Sequence, residues 1–308
     1  MSNIKTKEDI GKLLEKQKYI SNSEINMAIL NSLKLKSPLL IEGAAGVGKT
    51  EIAKVLASAL DTELVRVQCY EGIDFSKVLY DFNYSKQILY INLLKENVSE
   101  LLQGKDFSSS VDILDKETDF YGKDFLIERP ILKAISPENK KRKVLLIDEI
   151  DKSDMEFEAF LLEVLSDFTI TIPEFGTIEC PEDIRPIVIL TSNATRELSE
   201  ALKRRCMYLY IDYPNIETEA NIISKKTNIS YDFAEKIAKA VSNIRKLNLK
   251  QKPSIAESII WANVLLSNFG IIDIETYEKQ DIDLTLGSLL KNRNDIQKVI
   301  GADYLVLK

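Results

Sequence analysis

The sequence predicts an α/β fold, a parallel sheet flanked by helices, followed by a smaller all-helical unit. Three observations predict it. Gly43 to Thr50 read G-x-x-x-x-G-K-T between a short apolar run, Leu39 to Ile41, and a helical run, Glu51 to Leu60. A second apolar run, Val144 to Ile147, ends in Asp148-Glu149. After Pro214 the pattern is helical throughout, with no further strand signal.

A strand, a glycine loop and a helix form a phosphate cradle. The glycines let backbone N–H groups curl around phosphate oxygens, and the helix start adds its positive dipole end. Lys49 is expected at the β- and γ-phosphates of a nucleotide, and the Thr50 hydroxyl on Mg2+. The candidate nucleotide contacts are Gly43, Ala44, Ala45, Gly46, Val47, Gly48, Lys49, Thr50 and Glu51, with Asp148 from the second run. The candidate metal-holding residues are Thr50 and Asp148.

Composition bounds the chemistry. The chain has 308 residues, 45% of them hydrophobic and 29% charged, enough for one large domain and a small one. A net charge of −7 speaks against a broad nucleic-acid-binding face. The basic run Lys140 to Lys143 is read as a solvated loop. No run approaches a membrane span, and the N-terminus carries no apolar leader segment. Cys69, Cys180 and Cys206 show no metal spacing and read as reduced thiols, so the expected location is cytoplasmic. There is no histidine, which excludes imidazole-based nucleophilic catalysis and imidazole-ligated zinc.

In chain order, residues 1 to 18 are lysine-rich and helical, and Ser21 reads as the N-cap of a helix over Ser23 to Leu35. Tyr19 and Ile20 lie near the base of a bound nucleotide or simply pack. Leu64 to Gln68 alternates as a second strand. Glu71 to Tyr80 is polar, Tyr84 to Leu102 is helical, and Gly104 to Lys116 reads as a serine-rich insertion. A helix is expected over Phe125 to Ile135.

Val144 to Ile147 is a buried parallel strand whose C-terminal end points at the phosphates. Asp148 holds Mg2+ through water, and Glu149 polarises an attacking water. Ser153 with Glu156 reads as a capping box. A hairpin follows over 169 to 180. Ile187 to Leu190 is a further buried strand, ending in Thr191-Ser192-Asn193, where Asn193 is placed to orient water. Met207 to Ile211 is the last strand, preceded by Lys203-Arg204-Arg205. Helices are expected over Glu217 to Lys226, Ser230 to Leu247, Ser254 to Phe269 and about Ile282 to Val299. Residues 1–213 are assigned to the nucleotide-binding α/β domain and 214–308 to the helical domain.

Taken in order, these motifs resemble an AAA+ P-loop ATPase. G-A-A-G-V-G-K-T looks like Walker A, L-L-I-D-E like Walker B, T-S-N like sensor 1, and K-R-R-C like the arginine-finger strand start. P-L-L-I-E-G-A-A-G-V-G-K-T-E-I-A-K, V-Q-C-Y-E-G-I-D, E-R-P-I-L-K-A-I, A-L-K-R-R-C-M-Y-L-Y-I-D-Y-P and K-P-S-I-A-E-S-I-I-W-A resemble the MoxR family, its CoxD-like branch in particular.

The resemblance implies a five-stranded parallel sheet in the order 5-1-4-3-2, an insertion at helix 2 and a C-terminal helical lid. It also implies a homo-hexameric ring that hydrolyses ATP with Mg2+. Arg205, with Arg204 as the alternative, becomes a catalytic arginine supplied to a neighbour, joining Glu149 and Asn193. The implied partner carries a von Willebrand factor A domain, and the implied task is remodelling a protein, in metal-cofactor or complex maturation. A nucleotide-gated scaffold with little hydrolysis, or a nucleic-acid-linked motor, are the alternatives. One departure stands out. The third lid helix starts Pro253-Ser254-Ile255-Ala256-Glu257, with no sensor-2 arginine. Ser254 and Glu257 read there as a capping box, and Arg245 or Lys252 are the candidate substitutes.

Overall fold

A computed structural model describes residues 4–101, 120–173, 175–270 and 278–305. The chain opens with α1 (Lys7–Lys16) and α2 (Ser23–Leu35). Asn22, not Ser21, caps α2, its Oδ1 accepting the Ile25 N–H at 2.8 Å. The extended backbone that a cap needs falls one residue later than the sequence suggests. Strand β1 (Leu39–Gly43) then runs into the glycine loop, and α3 (Lys49–Ala59) leaves it. Strands β2 (Leu64–Gln68) and β3 (Tyr80–Phe82) follow, then α4 (Tyr84–Leu101). The insertion expected over Gly104 to Lys116 lies outside the described residues.

The helix expected over Phe125 to Ile135 is two elements. Strand β4 (Leu126–Glu128) pairs antiparallel with β3, and α5 (Pro130–Ile135) begins at the proline. Proline suits a first helical position but biases the residue before it to extended backbone, so the helix starts there and no earlier.

Strand β5 (Val144–Asp148) is wholly buried. Helix α6 (Met155–Asp167) is capped by Asp154, whose carboxylate accepts the Phe157 N–H at 2.8 Å. The capping box expected of Ser153 and Glu156 is therefore absent. Ser153 instead donates to the Ile150 carbonyl. Strands β6 (Thr169–Ile172) and β7 (Gly176–Glu179) form the expected hairpin. Strand β8 (Ile187–Ser192), α7 (Glu200–Arg205) and β9 (Met207–Ile211) complete the α/β region.

The sheet order is β2-β5-β8-β1-β9, all parallel. Counting only these five strands in chain order, this is 5-1-4-3-2 as expected. Alternate residues of the strands feed two cores, because side chains alternate across a sheet. Leu40, Leu145, Ile147 and Leu190 pack against α5 and α6. Leu39, Ile41, Val144, Leu146 and Ile189 pack against α1, α2 and α3. Each fully buried Leu or Ile contributes roughly 1.5–3 kcal/mol relative to exposure.

The remaining helices are α8 (Ile216–Thr227), α9 (Tyr231–Lys246), α10 (Ile255–Phe269), α11 (Lys279–Leu289) and α12 (Arg293–Ile300). They bury their own apolar cluster, centred on Trp261, Ile237 and Leu286. The single last helix expected over Ile282 to Val299 is broken at Leu290, and Asn292 caps a new one. Asn competes for local backbone bonds, which favours a cap over a helix interior.

Candidate active site

The C-terminal ends of β1, β5 and β8 meet where α3 begins. No side chain caps the start of α3, so its first N–H groups are free of side-chain partners among the described residues. That is the arrangement that receives an anion. Two glycines of the loop are dictated by what lies against them. A Cβ on Gly43 would meet the Ile211 carbonyl oxygen at 2.0 Å. Gly46 has φ +74°, and a Cβ there would meet the Ser254 Cβ at 2.2 Å.

Lys49 Nζ makes three hydrogen bonds. It donates to the carbonyls of Gly43 at 2.8 Å and Ala44 at 2.7 Å, and to Asn193 Oδ1 at 2.8 Å. Burial lowers its ammonium below the ordinary lysine value, against the pull of Asp151, Asp148, Glu149 and Glu42. Asp148 is 2% exposed. Its Oδ1 accepts from Thr50 Oγ1 at 2.9 Å and from Thr191 Oγ1 at 2.6 Å. Its Oδ2 accepts from Arg66 Nε at 3.0 Å and Nη2 at 2.5 Å.

Glu149 sits in the left-handed region, φ 57°. Such backbone is costly for a side-chain-bearing residue and is held here by specific bonds. Its N–H donates to Thr191 Oγ1 at 2.9 Å. Its carboxylate accepts from Gln68 Nε2 at 2.9 Å, Lys152 Nζ at 2.6 Å and Asn193 Nδ2 at 3.3 Å. Asn193 thus spans Lys49 and Glu149. Asp151 ties the Asn193 loop down, accepting the N–H groups of Asn193 and Thr195, each at 3.1 Å, and the Thr195 hydroxyl at 2.6 Å. Burial alone would raise the Asp151 carboxyl. The Thr195 hydroxyl and N–H and the Asn193 N–H outweigh it and hold the group below the usual range.

Lys49, Thr50, Glu149, Thr191 and Asn193 open onto a cleft of about 870 Å³, whereas Asp148 and Asp151 lie behind them and do not line it. The glycine loop from Ala45 to Thr50, Glu51, Glu149, Thr191 and Asn193 line it. Tyr19, Ile20, Tyr213 and Ile255 also line it. Burial pushes the Tyr19 phenol well up, so it stays neutral. Glu51 faces Lys226 of α8 at 3.9 Å. The helical region also closes on the loop itself, where the Ile255 N–H donates to the Gly46 carbonyl at 3.3 Å.

Other expected residues lie elsewhere. Arg204 and Arg205 are exposed at the end of α7 and do not line the cleft; Arg204 pairs with Glu200 at 3.7 Å. Arg245 does not replace the missing lid arginine. It is buried in a bidentate pair with Glu219, stacks its guanidinium on Tyr213 at 4.4 Å, and donates to the Pro253 carbonyl at 2.8 Å. Lys252 does not line the cleft either. The capping box of Ser254 and Glu257 is present. In the basic run, Lys141 pairs with Asp61 and Lys143 with Glu63. Cys69 is buried with its thiol pushed up to about 12 by burial and by the nearby carboxylates, so it is no nucleophile.

Sequence reasoning missed Arg66, Gln68, Asp151, Lys152, Thr191 and Thr195. In β2 Arg66 alternates with buried Val65 and Val67, which is legible in the sequence; the register that pairs Gln68 with Asp148 and so puts Arg66 on the Asp148 face is not.

The profile of the AAA domain (dynein-related subfamily) matches residues 38–206, from before the loop to the end of α7. The chain belongs to this AAA family. An uncharacterized protein of Staphylococcus aureus strain USA300 is 24% identical over 295 residues, covering 92% of this chain and 97% of its own. A protein of strain MW2, also uncharacterized, matches to the same extent. A RuvB mutant from Thermogota maritima has a TM-score of 0.44 and 18% identity, over 96% of this chain and 72% of that one. The AAA+ fold implies nucleotide binding and hydrolysis in general, typically with Mg2+. The donor set fits such an ion. A hydroxyl and one buried carboxylate suffice, because Mg2+ keeps its waters and takes its other oxygens from phosphates.

Proposed function

We propose that the protein is an ATP-hydrolysing remodelling enzyme that assembles into a ring. One observation carries the reading: Asn193 joins Lys49 to Glu149, beside a Thr50–Asp148 pair, at the mouth of a glycine loop. Phosphoryl transfer needs positioning and charge stabilisation, and each part has a residue here. Lys49 and the loop N–H groups hold phosphate oxygens. Thr50 and Asp148 would hold Mg2+, which neutralises developing phosphate charge when bound. Glu149 accepts the proton of the attacking water, and Asn193 orients that water. Arg205, or else Arg204, serves the site of a neighbouring copy, in keeping with its exposure outside the lining of its own cleft.

The finer assignment is to the MoxR family and its CoxD-like branch. Residues 1–213 would bind the nucleotide and 214–308 act as the lid. The ring would be a hexamer, and the client a protein matured together with a von Willebrand factor A domain partner. No helix among the described residues is long and apolar enough to cross a membrane, and a cytoplasmic site of action suits the reduced cysteines.

The test separates binding from chemistry. Lys49→Ala is expected to lose a fluorescent ATP analogue, whereas Glu149→Gln keeps it and releases no phosphate. Normal turnover in Glu149→Gln removes the assigned base. Arg205→Ala mixed with Lys49→Ala is expected to regain activity at shared interfaces. Turnover independent of protein concentration, with no such complementation, places the arginine elsewhere.

A further inference from the structure

Asp148 has no acceptor capacity left. An ionised carboxylate offers about four lone-pair directions. Two, on Oδ1, take the hydroxyls of Thr50 and Thr191. The other two, on Oδ2, take Nε and Nη2 of Arg66. A magnesium ion on the Thr50 hydroxyl keeps several waters, and those waters need a carboxylate acceptor. Thr50 can ligate the ion through a lone pair and still donate to Asp148. Thr191 is buried and also supports the Glu149 N–H. Arg66 is different, since its side chain is 47% exposed while Asp148 is buried. It sits on a sheet-edge strand and has solvent to move into.

We propose that Arg66 is a positioning residue for the metal-holding carboxylate, competing with the hydrated cation of a metal–nucleotide complex for Asp148 Oδ2. The inference rests on the nucleotide reading above and deepens it. While seated, the guanidinium neutralises a buried charge and holds the carboxylate toward Thr50. It must leave Oδ2 for a metal-bound water to take that place. Its other hold is Gln68 Oε1, which also accepts from Nη2. The opposite end of that amide donates to Glu149 at 2.9 Å. One guanidinium therefore connects both carboxylates of the Asp148-Glu149 pair. Arginine suits this task because its fork occupies both lone pairs of one oxygen and never loses its charge.

The experiment uses the full chain and a fluorescent ATP analogue. Affinity is measured in EDTA, and Mg2+ is then titrated at fixed nucleotide to find its half-saturating concentration. Arg66→Gln is expected to lower that concentration about fivefold, roughly 1 kcal/mol at 1.4 kcal/mol per tenfold. Its affinity in EDTA is expected to stay within about twofold of wild type, a difference of roughly 0.4 kcal/mol on the same scale. Arg66→Lys, which keeps the charge without the fork, is expected to fall between the two and carries the test if Arg66→Gln does not fold. An unchanged or raised Mg2+ midpoint overturns the proposal, because a merely structural arginine lowers stability without moving it. Weaker binding in EDTA also overturns it, by assigning Arg66 to phosphate. Failure of wild type to bind nucleotide at all defeats the nucleotide reading and this inference with it.

Discussion

Ser254 stands where a side chain on Gly46 would have to go: their Cβ atoms would be 2.2 Å apart. The first turn of α10 is seated on the backbone of the glycine loop, with the Ile255 N–H on the Gly46 carbonyl. The helical region therefore meets the glycine loop itself through backbone and the small Ser254 side chain, and meets the following turn through Lys226 and Glu51.

Gly46→Ala is expected to displace that seat and weaken nucleotide binding about tenfold, for left-handed backbone alone costs about 1–3 kcal/mol without glycine. Ser254→Gly in the same chain removes the opposing Cβ, and glycine is a tolerable N-cap. Part of the loss is then recovered, as read by fluorescent-nucleotide titration. A double variant no better than Gly46→Ala shows that strain, and not the contact, sets the cost.

Thr191→Val keeps the shape and removes the hydroxyl that Asp148 accepts and the Glu149 N–H needs. A buried donor left unpaired costs about 1–3 kcal/mol. Urea unfolding is expected to register that loss, and phosphate release to fall with it. Thr191→Ser is expected to restore both.

Asp151 sets an acid limit. Its folded-state carboxyl is held below the usual range. Its contribution to stability is therefore present above the unfolded carboxylate value, about 3.9, and is lost as pH falls through the lower folded value. Urea midpoints measured downward from neutral pH are expected to fall on this limb. Asp151→Asn is expected to flatten that part of the profile and to lower stability at pH 7, since an amide meets the N–H groups of Asn193 and Thr195 with one acceptor oxygen only.

Arg245 and Glu219 form a buried pair. Arg245→Met leaves the Glu219 charge uncompensated and is expected to cost about 3–5 kcal/mol. Adding Glu219→Leu removes that charge and is expected to recover much of the loss. Chemical unfolding of the three chains checks this. Were Arg245 a phosphate contact instead, the double variant would regain stability yet bind nucleotide poorly.

Much of the fold was legible because it depends on local rules. A run such as Val144 to Ile147 has to be buried on both faces, and two such runs beside G-x-x-x-x-G-K-T leave few topologies open. The errors fell where a single residue tips a boundary. Asn22 and Asp154 cap in place of Ser21 and Ser153, Pro130 splits a strand from a helix, and Asn292 divides the last helical stretch. Each side chain there competes for neighbouring backbone groups, and the winner depends on where the chain is held by packing.

The sequence by itself determined the buried parallel strands and the residue types gathered at their ends: Lys49, Thr50, Asp148, Glu149 and Asn193; the strand order was what the family resemblance implied. Their spacing along the chain is enough, since the loop lies between a strand and a helix and each acid or amide follows an apolar run. Tertiary structure alone decided which groups hold those residues. Arg66 lies 82 positions from Asp148 in the chain, and Ser254 contacts Gly46 from a separate helical core. The physical reason is that a hydrogen bond or a steric contact depends on distance in space. A local pattern encodes which face a side chain takes, but not what the folded chain sets opposite it.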